Sequence, residues 1–315
     1  MPPLTPVFAI SPNPNDRLED ARPSRRAARP RTSRGALRRL IASLGVSGVM
    51  GALILGLLVS VAAFGPAVVG DPFRMDVPHR LQPPSAAHLM GTDEFGRDIL
   101  SRVIYGSRIS LAAGVAVITV GLGVGIPLGV TAAYRGGTVG VMLLSVVDLL
   151  LALPGVLLAI VIAALLSPKL TTAILAVGIV NVPYYARLVS GVTHAVRVRE
   201  HVEAARAAGS TDIRIVVRHI LPAVLPPVMV QATLGVGSGI LLVTALSFLG
   251  VGAQPPIPEW GLMMSQAQTF ILTQPYLGIF PGLGIMLAVL GFNLVGDGLR
   301  DILDPVLSRI RVGMR

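Results

Sequence analysis

The sequence has 315 residues, of which 53% are hydrophobic and only 13% charged. An average soluble domain carries about 25% charged residues, so this chain cannot wet the surface of a soluble fold of its size. That excludes an ordinary water-soluble enzyme and predicts an all-α, polytopic membrane protein. The formal net charge of +10 rests almost wholly on arginine, with Lys169 the one lysine. Its placement follows membrane topology, and an aromatic content of 4% offers no platform for stacking bases, so nucleic acid is not expected as a partner. With no cysteine there is neither a disulfide framework nor a thiolate metal site.

Residues 1–39 combine seven prolines with nine arginines between Arg17 and Arg39 and show no apolar periodicity before Leu37. They read as a disordered, solvated tail that anchors orientation on the cytoplasmic side, with a nucleic-acid arm as the alternative. The uncharged run 41–64 is long enough to cross a hydrocarbon layer of roughly 30 Å and much longer than the 7–15 residues of a signal-peptide core, so a retained helix is predicted. Similar runs at 109–134, 139–166, 171–190, 223–250 and 276–296 bring the expected spans to six. Six spans place both termini on one side, and with that side inside, 20 of the 26 Lys and Arg residues fall on cytoplasmic segments. Gly121, Gly125 and Gly129, and Gly235 with Gly239, are spaced for close helix packing, because small residues let backbones approach within lipid. Pro127, Pro154 and Pro183 are expected to kink or break their helices.

Catalytic equipment is missing. No nucleophile–base set lies at depth, all five histidines (79, 88, 194, 201, 219) fall in predicted extramembrane segments, and the lone lysine, in Ser167-Pro168-Lys169-Leu170, cannot form a nucleotide-binding G-K-[ST] loop. Asp148 is the one acid within a predicted span, either on a pathway or helix contact or close to the cytoplasmic interface.

Two extramembrane segments carry more information. In 197–222, Glu203, Ala204, Ala205, Ala207 and Ala208 favour a helix, Gly209 is a ready left-handed stop, and Thr211 or Asp212 can cap a second helix. Arg199 supports the first turn through Glu203 at i, i+4, and Pro222 is expected to end the second helix. On the residues alone this is a docking element or an ordinary interfacial loop. In 88–111, Asp98 can cap a helix and pair with Arg102, and Leu100, Val103, Ile104 and Leu111 share an apolar face. That describes an amphipathic interfacial helix leading into the second span.

The string Glu203-Ala204-Ala205, Gly209, His219, Leu221, Pro222 resembles the EAA loop of ABC-importer permeases, with histidine where the general pattern has isoleucine. The string His88, Gly91-Thr92-Asp93, Gly96-Arg97-Asp98, Ser101-Arg102 is similar to the extracytoplasmic signature of the dipeptide/oligopeptide/nickel permeases, in the "C"-type subunit. Tyr134 to Gly137, Asp148 with Leu153-Pro154, and Ser247 to Gly261 extend the resemblance over roughly 40–305. The family commonly has W-V-D after Gly137 and a methionine–arginine pair before the aspartate; here Thr138, Gly140, Leu144 and Ser145 stand instead.

The resemblance implies the type I ABC-importer permease fold with six transmembrane helices. It divides the chain into 40–108, a first span with its extracytoplasmic loop, 109–305, a five-helix permease core with a coupling loop at 191–222, and a cytoplasmic tail at 306–315. It implies no catalytic residue and no bound cofactor, ATP and Mg belonging to two partner ATPases. A homologous permease, an extracytoplasmic binding protein and the lipid bilayer complete the expected partners, in the plasma membrane of a prokaryote. Di- or oligopeptides are the expected cargo, with nickel or cell-wall peptides as alternatives. A self-sufficient carrier or channel and a non-transporting scaffold are the competing classes.

Overall fold

The computed structural model describes residues 33–303, and the chain divides into units Met1–Leu40 and Ile41–Arg315, of which the second is the subject here. The expected tails at 1–39 and 306–315 lie, but for residues 33–39, outside the described residues. Ten α-helices carry the described fold: α1 (Ser33–Phe64), α2 (Ile99–Arg135), α3 (Gly137–Leu151), α4 (Gly155–Leu166), α5 (Leu170–Arg197), α6 (Glu200–Ala207), α7 (Asp212–Ile215), α8 (Leu221–Phe248), α9 (Trp260–Ala267) and α10 (Tyr276–Leu303). No strand occurs among the described residues beyond an isolated bridge between Thr92 and Asp98.

Five helical stretches are long and apolar enough to cross a bilayer: Gly45–Ala67, Ile99–Arg135, Leu170–Arg197, Asp212–Phe248 and Tyr276–Leu303. The sixth expected span is not one helix. Residues 139–166 divide into α3 and α4, set at 91° to each other, with Pro154 at the N-cap of α4. Proline disfavours helical geometry in the residue before it, here Leu153, which explains the break. Pro127 and Pro183, by contrast, sit inside unbroken α2 and α5. Freed backbone groups within a membrane helix are satisfied by neighbouring elements, so a proline there need not end the helix.

Two further boundaries differ from expectation. The interfacial helix and second span are one helix, α2, with 37 residues, while residues 88–98 before it form turns. Pro222 does not end the helix that starts at Asp212. The backbone widens into a π-turn at Val216–Ile220, with the Leu221 N–H bonded to the Val216 carbonyl, and α8 follows at once. The wider turn accommodates a proline that has no N–H to give and whose ring crowds the carbonyl four residues back.

The central contact is α2 against α5, with α8 packed on both and α10 on α8. The glycine spacing explains it. A Cβ on Gly121 would lie 3.1 Å from Asn181 Cβ, one on Gly125 would lie 2.8 Å from Tyr185 Cβ, and one on Gly129 would overlap the Ala186 carbonyl. Gly235 and Gly239 of α8 meet Tyr185, Ile118 and Val117 in the same way. Since lipid tails are as apolar as leucine, this backbone proximity is what holds the helices together.

Candidate functional site

The two motif-bearing segments stand at opposite ends of α2. Ile99 opens the helix and Tyr134 lies in its last turn, about 52 Å away at 1.5 Å per residue.

At the Tyr134 end, α6 is an eight-residue helix with Glu200 and Glu203 in its first turn and Arg206 in its last, which suits the helix dipole. Val202 is its one buried residue, seated in a cluster with Val130, Val196, Ile215 and Ile220. Gly209 adopts φ +79°, and the N–H groups of Gly209 and Ser210 return to the carbonyls of Arg206 and Ala205, closing the helix. Thr211 then caps α7 through the Arg214 N–H. The Tyr134 hydroxyl donates to Asp212 at 2.7 Å, and the Arg206 guanidinium stands 6.0 Å from the Tyr134 ring centre, tying the hairpin to α2. Glu203, Ala204, Ala207, Ala208 and Gly209 face outward, flanked by Ile213 at 78% exposure. Ala205 and His219 are half-buried, the His219 ring lying 6.0 Å from that of His201, and Leu221 and Pro222 open α8. The result is a knuckle with a small-residue face that no described residue covers.

At the other end, residues 88–102 form a knot of buried charge. The Asp93 carboxylate accepts the backbone N–H groups of Phe95 and Arg97, each at 2.9 Å, and Arg97 Nε at 2.6 Å; Arg102 Nε stands 3.6 Å away. Arg97 and Arg102 are 2% and 1% exposed. Thr92 donates to the His79 carbonyl and accepts from the Gln82 N–H, while Tyr276 of α10 donates to the Gln82 carbonyl, so the knot is latched to the last span. Gly91 and Gly96 take φ of +80° and +74°, and a Cβ on Gly96 would overlap the Asp76 carbonyl. Asp98 caps α2 through the Ser101 N–H at 2.8 Å, but the expected Asp98–Arg102 pair does not form. Asp98 pairs with His88 at 3.1 Å, because Arg102 turns to Asp93 and to the carbonyls of Pro72 and Pro256. Burial, with Asp93 next to it, pushes the Glu94 carboxyl above the usual carboxylate range.

Two charged features were not both singled out by sequence reasoning. Asp148 of α3 pairs with Arg187 of α5 at 3.3 Å, and Arg187 had no local signal, since its partner lies 39 residues away. Glu259, fully buried, caps α9 through the Leu262 N–H at 2.9 Å and accepts from Ser110 of α2. Burial pushes its carboxyl up against the opposing pull of the Gly261 and Leu262 N–H groups and the Ser247 and Ser110 hydroxyls. The only available cue was an acid between Pro258 and the sole tryptophan, Trp260.

Comparison with known proteins adds the family. Residues 125–309 match the binding-protein-dependent transport system inner membrane component. The chain belongs to that family. The permease chain is 46% identical over 82% of its length to the dipeptide transport system permease protein DppC of Alkalihalophilus pseudofirmus, covering 86% of it. It is 42% identical over 82% of its length to the probable D,D-dipeptide transport system permease protein DdpC of Escherichia coli, covering 87%, and 45% identical over 71% to the glutathione transport system permease protein GsiD of Pectobacterium atrosepticum, covering 75%. A chain of the inward-facing MetNI methionine ABC transporter shares the fold, with a TM-score of 0.54 at 19% identity over 64% of this chain and 96% of that one. The permease is therefore a multi-pass membrane transport subunit of a dipeptide-type ABC importer and not an enzyme.

Proposed function

We propose that this permease forms, with a homologous permease, the translocation pathway of an ATP-driven importer of small peptides. Both termini and the 191–222 coupling loop are cytoplasmic, and the 88–102 knot is extracytoplasmic, where a binding protein delivers cargo. The core spans 109–305 and the preceding unit 40–108 supplies the first span and outer loop. ATP and Mg are held by two partner ATPases, and nickel or cell-wall peptides are the alternative cargo of the same machine.

The α6–Gly209–α7 knuckle carries this reading. Its outward face of Glu203, Ala204, Ala207 and Gly209 admits a partner surface closely, while Val202 and the Tyr134–Asp212 bond fasten it to the bundle. A push on α6 is thereby transmitted to α2 and α8. Work is done only if the ATPase binds α6 differently in the two conformations of the bundle, since a ligand shifts an equilibrium by its differential affinity alone.

The test is purification of the assembled complex and ATP-driven uptake in proteoliposomes. A chain carrying a G-K-[ST] nucleotide loop is expected to co-purify. Gly209→Pro is expected to leave assembly intact and abolish uptake, because proline cannot adopt a positive φ. Normal uptake by that variant would refute the coupling role, and ion-driven uptake by the chain alone would refute the dependence on a partner.

A further inference from the structure

The outward faces of the spanning helices differ in polarity. Exposed residues on α1, α8 and the first half of α10 are largely apolar, among them Leu53, Leu57, Leu241, Ile279, Leu283 and Met286, as a bilayer requires, whereas α10 exposes Asn293, Asp297 and Arg300 toward its end. On α5 the exposed Leu175 and Ile179 give way to exposed Tyr184, Arg187, Gly191 and His194, spaced three, four and three apart and so stacked on one face. Tyr184 donates to Gln231 of α8 at 3.1 Å, extending the polar strip to a second helix. A cavity of about 500 Å³ opens on this face, lined by Gly140 and Leu144 of α3 with Arg187, Gly191, His194 and Arg197 of α5.

Within the strip sits the Arg187–Asp148 pair. The Arg187 and Asp148 side chains remain 55% and 51% exposed, unlike the buried guanidinium groups of the outer knot. Asp148 is 11 residues from the start of α3 and Arg187 is 10 from the end of α5, so both lie about 15 Å from the same end of the bundle. Arg187 thus lies within a helix long and apolar enough to cross a bilayer, and Asp148 within the bent α3–α4 pair. A half-exposed ion pair at this depth is not tolerated against lipid; such groups face a bundle interior or water.

We infer that the α5 strip lines the aqueous pathway and that Asp148 and Arg187 form a subsite for the charged termini of a zwitterionic peptide, Asp148 taking the α-ammonium and Arg187 the α-carboxylate. This rests on the peptide reading above. One carboxylate and one guanidinium, held 3.3 Å apart with half of each surface free, present both charges that such a cargo needs and cancel each other when it is absent.

Because the chain has no cysteine, a single cysteine labelled in the assembled importer can be read on this chain once it is separated from its partners. Neither Gly191 nor Gly56 has an atom within 4 Å of an added Cβ, so Gly191→Cys and Gly56→Cys are accommodated. Gly191→Cys is expected to react with a charged, membrane-impermeant thiol reagent and to be protected by a dipeptide, while Gly56→Cys on α1 stays unlabelled. An unreactive Gly191→Cys overturns the pathway assignment. In proteoliposomes of the whole importer, Asp148→Asn is expected to weaken uptake of a free dipeptide by about tenfold or more, the scale of one lost charge-assisted hydrogen bond, and to leave its N-acetylated analogue unchanged. Arg187→Gln is expected to do the same for the free against the C-amidated peptide. Parallel losses for free and blocked peptides, or none, overturn the subsite. If the unaltered importer takes up no dipeptide, the peptide reading itself fails, whatever the labelling shows.

Discussion

Asp93→Asn is the sharpest test of the outer knot. Asparagine keeps the size of the side chain but removes its charge and one of its two acceptors. Its Oδ1 retains the Phe95 and Arg97 N–H groups, while its amide turns a donor toward Arg97 Nε, itself a donor, where the carboxylate made a 2.6 Å bond. Two guanidinium groups, 2% and 1% exposed, then face each other with only the neighbouring Glu94 carboxyl as counter-charge. Removing one partner of a buried ion pair costs about 3–5 kcal/mol. Arg102 keeps the carbonyls of Pro72 and Pro256 at 3.3 and 3.4 Å, which places the loss at the lower end, about 3 kcal/mol. At about 2–4 °C per kcal/mol, the apparent midpoint of thermal unfolding falls by roughly 6–12 °C. The assay is built into the chain. Its single tryptophan, Trp260, donates to the carbonyl of Val103, the residue after Arg102, so intrinsic fluorescence of the detergent-purified protein reports on this region. Adding Arg97→Met to Asp93→Asn removes one of the two stranded charges and is expected to recover part of the loss. A midpoint within about 2 °C of the unaltered protein, or a double variant no better than the single, refutes the reasoning.

Gly129→Val drives a branched side chain into the Ala186 carbonyl and Val189 and is expected to cost about 1–3 kcal/mol in the same melt. Gly123→Val, with nothing within 4 Å, is the control expected to change little. Gly209→Ala places a Cβ in open space but at φ +79°, a conformational cost of about 1–2 kcal/mol, and should lower the ratio of uptake to ATP hydrolysis severalfold while the complex still assembles. Glu259 binds its proton more tightly in the folded chain than in the unfolded one, so its contribution weakens stability as pH rises from the ordinary carboxylate value through the raised one. Glu259→Gln is expected to remove that decline in a pH series of melts, and an unchanged slope would refute it. Glu259→Ala additionally loses the α9 cap, at about 1 kcal/mol.

What the sequence determined by itself is what depends on neighbours along the chain. Spans are visible because every backbone group in a bilayer must be satisfied within its own helix, so length and apolarity suffice. The glycine spacing on α2 announces a close helix contact, Gly209 announces a left-handed stop, and Asp98 announces a cap, since each is a matter of one turn or one dihedral angle. Tertiary structure alone decided which helix meets those glycines, and which charge answers which. Arg102 prefers Asp93 to the nearer-seeming Asp98, and Asp148 meets Arg187 across 39 residues, because a charge takes the partner that the fold brings within reach. The same holds for the prolines. Pro154 breaks a span, while Pro127 and Pro183 are absorbed and Pro222 is carried past by a π-turn, because the outcome depends on what the surrounding helices offer the freed backbone groups.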